Sequence, residues 1–250
     1  MRNEQAATIL HDIFQHAVDS ARAGPVIPPN LPEKPRGRCV VIGAGKASAA
    51  MAAAVDAAWP DVDVSGVVVT RYGHAVPAGR IRIIEAAHPV SDAMSETAAM
   101  LIVETFRGLT PDDLVLALIS GGGSALMALP APELTLADKQ KITRALLHSG
   151  ASIREMNLVR RHLSAVKGGK LARLAQPARI VSLIISDVPG DDPTDVASGP
   201  TVADHSTPSD ALRMLERYGI AVPEAVRKVL NQPASPVENA VNSEVRLIAA

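Results

Sequence analysis

Leu114-Val-Leu-Ala-Leu-Ile-Ser-Gly-Gly-Gly-Ser-Ala-Leu126 is the stretch on which the reading of this chain turns. Its first half, Leu114 to Ile119, is a continuous apolar run of strand length, which suits a strand buried on both faces of a parallel sheet. Its second half is glycine-rich, and Ala125 to Leu129 beyond it is apolar and helix-compatible. Gly121, Gly122 and Gly123 therefore sit where a strand turns into a helix. Without a Cβ, such backbone bends sharply and lets a ligand come close. A helix N-terminus there would aim free N–H groups and partial positive charge beyond the strand end, which is the chemistry of a phosphate or carboxylate cradle formed by Ser120, Gly121, Gly122, Gly123 and Ser124. A tight turn without a ligand explains the same glycines equally well, so the remaining loops have to decide.

Working outward, apolar strands alternate with helices. Arg38 to Ile42 reads as a strand and leads into Gly43-Ala-Gly45-Lys46-Ala-Ser48 and a small-residue helix to Ala58. This resembles the opening of a dinucleotide-binding unit, but Ser48 stands at the sixth position of G-x-G-x-x-G. Val40 stands where a Walker A loop needs its first glycine, so the turn is not a P-loop. Lys46 remains at the mouth of a glycine turn near a helix start, where it is either a surface lysine or the counter-charge of an anion. Val64 to Thr70 and Ile81 to Ala87 are further strands, ending in Arg71-Tyr-Gly-His74 and His88-Pro-Val-Ser-Asp92. Asp92 is placed to cap a helix over 93–106. Thr135 and Asp138 form a capping box for a helix to about His148, and helices follow over 152–163 and 169–174. Asn157, Arg160 and Lys167 crowd this region, as a solvated face or as phosphate contacts. Arg179 to Ile185 is another strand. Its exit carries Asp187, Asp191, Asp192 and Asp195, a cluster that suits either Mg²⁺ or an Asx-rich turn.

The ends read differently. Residues 4–23 are an amphipathic helix, and 24–37, with five prolines, is expected to be a loop. Helices are expected over 208–218 and 223–230. Residues 232–242 read as a polar linker, and 244–250 as a strand opening a further domain that the chain does not contain. The domain expectation is thus one unit over 1–236, with 237–250 as linker and first strand of the next. The alternation predicts a Rossmann-like α/β/α sandwich with a mostly parallel sheet. Five polar loops follow strands, so all load the carboxyl edge, where such sheets bind ligands.

Composition narrows the function. With one Trp, two Tyr and two Phe, stacking on exposed bases is not expected. The net charge of −1, with acids and bases interspersed, leaves no electrostatic footprint for nucleic acid. A single cysteine, Cys39, excludes an internal disulfide and a cysteine-rich metal site and fits a reducing compartment. No apolar run reaches the roughly 18 residues of a membrane span. A soluble, cytoplasmic protein without membrane or nucleic-acid partners is the expectation.

Four stretches carry a family resemblance: V-I-G-A-G-K-A (41–47), S-G-G-G-S-A-L (120–126), I-R-E-M-N-L-V-R-R-H-L-S-A-V-K-G-G-K-L-A (153–172) and S-D-V-P-G-D-D-P-T-D-V-A-S-G-P-T (186–201). They resemble the glycerate 2-kinase family, MOFRL-type proteins often labelled hydroxypyruvate reductase. The family's H-P-V-P-D is here His88-Pro-Val-Ser-Asp92, with Ala87 where a glycine often stands. The resemblance implies ATP-dependent phosphorylation of the 2-hydroxyl of glycerate with Mg²⁺, in a cleft between a Rossmann-like N-terminal domain and a smaller C-terminal one. It implies that Lys46 neutralises the transferring phosphate or holds the substrate carboxylate. It implies that Gly43, Gly45 and Ser120 to Ser124 hold the cofactor, ATP. Asp187 and Asp192 would hold Mg²⁺ or accept the hydroxyl proton, and Asn157, Arg160 and Lys167 would line the substrate site. A homodimer is left open. Two alternatives stand beside this reading: an NAD(P)H-dependent hydroxypyruvate reductase and a non-catalytic, ligand-binding fragment. The incomplete glycine fingerprint argues against the reductase, as does Thr70-Arg71 where an acidic ribose partner would stand.

Overall fold

The structure, a computed structural model, describes residues 2–233 and 243–250. Six strands form one all-parallel sheet: β1 Cys39–Ala44, β2 Val64–Arg71, β3 Ile81–Ala86, β4 Leu114–Ser120, β5 Arg179–Ile185 and β6 Ser243–Ala249, in the order β3-β2-β1-β4-β5-β6. This is the Rossmann order, and it reverses direction between β1 and β4. The helices are α1 Arg2–Ser20, α2 Ala23–Asn30, α3 Ser48–Ala58, α4 Ala93–Glu104, α5 Gly123–Leu126, α6 Leu136–His148, α7 Ile153–His162, α8 Lys170–Leu174, α9 Pro208–Arg217 and α10 Glu224–Leu230.

The two central strands are buried at every position, because helices cover both faces. Side chains alternate between those faces. Val40, Ile42 and Ala44 pack with Ile102 of α4, Leu126 of α5 and Leu171 of α8. Cys39 and Val41, with Leu114, Leu116 and Leu118, face Ile27 of α2 and Met51 and Val55 of α3. Burial in this layer pushes the Cys39 thiol up to about 12, so it is an apolar filler rather than a nucleophile. A third cluster joins α6, α7, α9 and α10 through Ile142, Leu146, Val159, Leu215 and Val226. Capping boxes start three of these helices, at Thr135–Asp138, Ser152–Glu155 and Thr207–Asp210, and Asp92 caps α4 as expected.

Three local expectations are corrected. The proline-rich segment expected as a loop over 24–37 begins with α2. Pro25 lies in the first turn, where its missing N–H would have had no partner. Pro28 and Pro29 remove donors near the end, and burial of Ala23, Val26 and Ile27 offsets that loss. The helix after the triple glycine is a single turn, Gly123–Leu126, so its dipole is small. The strand expected to open a separate domain pairs in parallel with β5 and forms the edge of this sheet. The linker expected over 232–242 lies mostly outside the described residues. α1 keeps its amphipathic pattern, yet Ile9, Leu10, Ile13 and Phe14 are exposed.

Candidate active site

The turns after β1 and β4 meet where the strand order reverses, and they are built differently. In the β1–α3 turn every donor is used internally. The N–H groups of Gly45, Lys46, Ala47 and Ser48 donate to Val69 O, Gly121 O, Ser120 Oγ and Gly45 O at 3.2, 2.9, 3.0 and 3.3 Å. The glycines of this turn serve strand packing: a Cβ on Gly43 would stand 2.4 Å from Leu118 O, and one on Gly45 2.0 Å from Ser120 Oγ. Ser120 is buried and bonded to Ser48 Oγ, so it fastens the two turns together. In the β4–α5 turn, by contrast, the N–H groups of Gly121 to Ser124 have no protein acceptor among the described residues. Gly122 is left-handed, with φ 86°, which only glycine adopts without strain.

Over this open turn lie three side chains. Lys46 Nζ donates to Asp187 Oδ2 at 3.1 Å, with the two side chains 39% and 49% exposed. Asp187 covers Gly121 so closely that a Cβ there would stand 1.8 Å from its Oδ2. The imidazole of His88, at the exit of β3, and the Lys46 stem press on Gly122, at 3.0 and 3.3 Å from where its Cβ would be. Burial, then the charges of Lys46 and Arg71, hold the His88 imidazolium below its usual range, so the ring is neutral at neutral pH.

Behind them a cleft of about 310 Å³ runs between the sheet edge and α6–α7. Its polar wall is a connected network. Ser124 Oγ and Ser198 Oγ are 2.5 Å apart, and Ser198 Oγ donates to Asn157 Oδ1 at 2.9 Å. Asn157 Nδ2 donates to the main-chain O and Oδ1 of Asp195, both at 3.1 Å. Arg154 Nε, 3.3 Å from Asp195 Oδ2, neutralises that buried carboxylate. Ala197 and Ser198 hold left-handed backbone, with φ 53° and 61°, inside this buried network. Non-glycine residues rarely adopt that conformation, and here it aims the Ala197 carbonyl and the Ser198 hydroxyl at their partners. Lys167 is 1% exposed, and its Nζ donates to Met127 O and Ala197 O at 3.2 and 3.3 Å. Arg160 donates to Asn157 Oδ1 at 3.4 Å, and Lys139 of α6 completes the cationic side.

Of the residues singled out in the sequence, Lys46, Gly121 to Ser124, Asn157, Arg160, Lys167 and Asp187 thus converge. Gly43, Gly45 and Ser120 lie beneath them as packing. Asp192 accepts from Thr194 N and Oγ1 at 2.9 and 2.7 Å, an Asx turn that shapes the loop. Asp187 carries the exposed carboxylate at the cleft. Mg²⁺ serving a nucleotide needs one or two carboxylates and takes its other ligands from phosphates and water, so Asp187 fits that ion. Among the described residues no group of three acidic, His or Cys side chains forms an all-protein metal cage. His74 stands apart and exposed, in a turn whose N–H groups converge on Glu85 Oε1. Lys139 escaped the sequence reading, whereas His88 was noted there at a strand exit but given no role in the site. Lys139 falls on the apolar stripe of Ile142 and Leu146, and a lysine in such a stripe is the signal that could have marked it.

Strand order, switch point and edge cleft define a doubly wound α/β protein of Rossmann type. Within that class, the family model described as a domain of unknown function (DUF4147) matches residues 9–231, and the chain belongs to this family. A protein of Agrobacterium vitis that carries the provisional name hydroxypyruvate reductase is 63% identical over 98% of this chain and 56% of its own length. The D-glycerate 2-kinase of Thermotoga maritima is 40% identical over 95% of this chain and 57% of its own. A crystal structure of glycerate kinase from Thermotoga maritima superposes with a TM-score of 0.90 at 39% identity, covering 98% of this chain and 59% of that one. The chain therefore spans somewhat over half the length of these relatives, and the resemblance read from its motifs is borne out.

Proposed function

We propose that this chain carries the core of a glycerate 2-kinase site, transferring the γ-phosphoryl group of ATP to the 2-hydroxyl of glycerate. The observation that carries the reading is the Lys46–Asp187 pair set over the unbonded N–H groups of the β4–α5 turn. Phosphoryl transfer asks a protein mainly for positioning and charge stabilisation. The Gly121–Ser124 amides and Lys46 supply donors and positive charge for phosphate oxygens. Asp187 is the side chain that would hold Mg²⁺, which when bound offsets phosphate charge. The substrate 2-hydroxyl oxygen bonds to the γ-phosphorus as the bond to the ADP oxygen breaks. Neutral His88 is placed to take the hydroxyl proton. Asn157 and Arg160 line the acid's side of the cleft, and Asp192 keeps the Asp187 loop in shape.

The name carried by the Agrobacterium relative raises hydride transfer to hydroxypyruvate. A nicotinamide dinucleotide on this fold lays its pyrophosphate on the first βα turn. Here the donors of that turn are all bonded within the protein, which favours the kinase.

The test is product identification. Incubation with glycerate and Mg-ATP is expected to give ADP and 2-phosphoglycerate, seen by phosphorus NMR. Consumption of NADH or NADPH with hydroxypyruvate, and no phosphorylated acid, would reject the proposal.

A further inference from the structure

The buried end of the cleft holds a concentration of cationic side chains with which no carboxylate among the described residues forms an ion pair. Lys139 is 9% exposed, and the only hydrogen bond of its ammonium among the described residues is a 3.4 Å contact to Leu129 O. Lys167, 1% exposed, is bonded only to main-chain carbonyls. The guanidinium of Arg160 has one hydrogen bond among the described residues, to the Asn157 amide oxygen. None of the three is in an ion pair among the described residues, although all three line the same cleft. Of the carboxylates nearby, Asp187 is engaged with Lys46 and Asp195 with Asn157 and Arg154, while Glu96 acts on Lys139 through its charge without an ion-pair contact. An isolated buried cation is costly, and three together repel one another. They are tolerated in a folded protein when an anion completes the group.

We propose that Lys139, together with Lys167 and Arg160, is the seat of the substrate's carboxylate, leaving Lys46 to the transferred phosphoryl group. This rests on the kinase reading for the identity of the acid but not for its charge. A carboxylate and a phosphate share the chemistry that would satisfy these cations. The carboxylate is favoured by depth: the cations lie at the closed end, whereas Lys46 and Asp187 are over a third exposed at the mouth, where a nucleotide has room. A small 2-hydroxy acid seated this way points its hydroxyl towards the mouth. Burial, with the charges of Lys170 and Arg160 and against that of Glu96, brings Lys139 down to about 7, and burial lowers Lys167 as well. His88 and Asp187 complete the titratable lining. An arriving anion raises the lysine values again, so binding draws in protons and weakens as pH rises above neutral.

The experiment is calorimetric titration of the 250-residue chain with glycerate, lactate, glycerol, inorganic phosphate and Mg-ATP, each at pH values below and above neutral, in buffers of different ionisation enthalpy. The expectation is that glycerate binds with proton uptake and glycerol does not. Lys139→Met weakens glycerate about 10–100-fold, Lys139→Arg recovers part of the loss, and Mg-ATP stays within about threefold. Thermal melts accompany each variant, and Lys139→Gln replaces Lys139→Met if the latter does not fold. Unchanged glycerate affinity in a folded Lys139→Met overturns the inference and leaves the kinase reading untouched. A loss of phosphate and Mg-ATP instead of glycerate assigns the cations to the nucleotide and also overturns it. Lactate bound through Lys139 while glycerate is not keeps the seat and rejects the glycerate reading. Absence of binding by every anion overturns the seat itself.

Discussion

Lys46 Nζ and Asp187 Oδ2 lie 3.1 Å apart although 141 residues separate them in the chain. The contact spans the switch point, joining the turn after β1 to the loop after β5 above the glycines that follow β4. Both side chains are substantially exposed, and an exposed ion pair contributes little to stability. Lys46→Ala and Asp187→Asn are therefore expected to leave the denaturation midpoint almost unchanged. They are expected to lower kcat for phosphoryl transfer by about 100-fold or more, because each removes charge from the transition state rather than from the fold. Parallel melts and steady-state kinetics check this.

Gly121 separates fold from site even more sharply. A methyl there would stand 1.8 Å from the Asp187 carboxylate, the end of a mobile side chain, and the residue has no left-handed φ to preserve. Gly121→Ala is expected to fold normally, to swing Asp187 off Lys46, and to lose activity about as far as Asp187→Asn. Chemical shifts of the Lys46 ammonium and turnover report the two halves.

Gly66 marks the opposite behaviour. It lies on β2 with φ 152°, and a Cβ would stand 1.8 Å from Val41 O on the adjacent strand. Main chain cannot swing aside, so Gly66→Ala is expected to cost about 2–4 kcal/mol. Urea unfolding followed by circular dichroism measures it.

The cation cluster predicts a pH dependence of stability. An unfolded lysine keeps its proton to near 10.5, whereas folded Lys139 releases it at about 7, and Lys170 is brought down to about 8 by burial. Between those values the unfolded chain binds more protons, so stability rises with pH from about 7 towards 10. Below about 7 the cost of burying the charge is present in full. Lys139→Met is expected to raise stability at neutral pH by about 1–3 kcal/mol and to flatten that rise. Melting curves across this range in the absence of anions test both.

Much of the architecture was legible because its signals are local. β4 announces itself as an unbroken apolar run, and Asp92 and Thr135 cap the helices they precede. α2 was not legible, since proline argues against helix and only burial of Val26 and Ile27 by distant elements reverses that. Among site residues, Lys46, Asn157, Arg160, Lys167 and Asp187 stood out through their motifs, and the structure gathers them in one cleft. Gly43 and Gly45, expected to hold the nucleotide, meet Leu118 and Ser120 in tight strand packing, and close packing and close ligand approach demand the same residue. Asp192, expected as a metal ligand, accepts from Thr194 in an Asx turn, which draws on the same side chain. Lys139 carries no motif, and its significance appears only once α6 is docked against Leu129.

The central claim is that this cleft serves Mg-ATP rather than a nicotinamide cofactor. Calorimetric titration of the chain with Mg-ATP, and separately with NADH and NADPH, tests it most directly. The account predicts binding of Mg-ATP that is lost in Lys46→Ala and silence for both reduced nicotinamides. Binding of NADH or NADPH without Mg-ATP would contradict it.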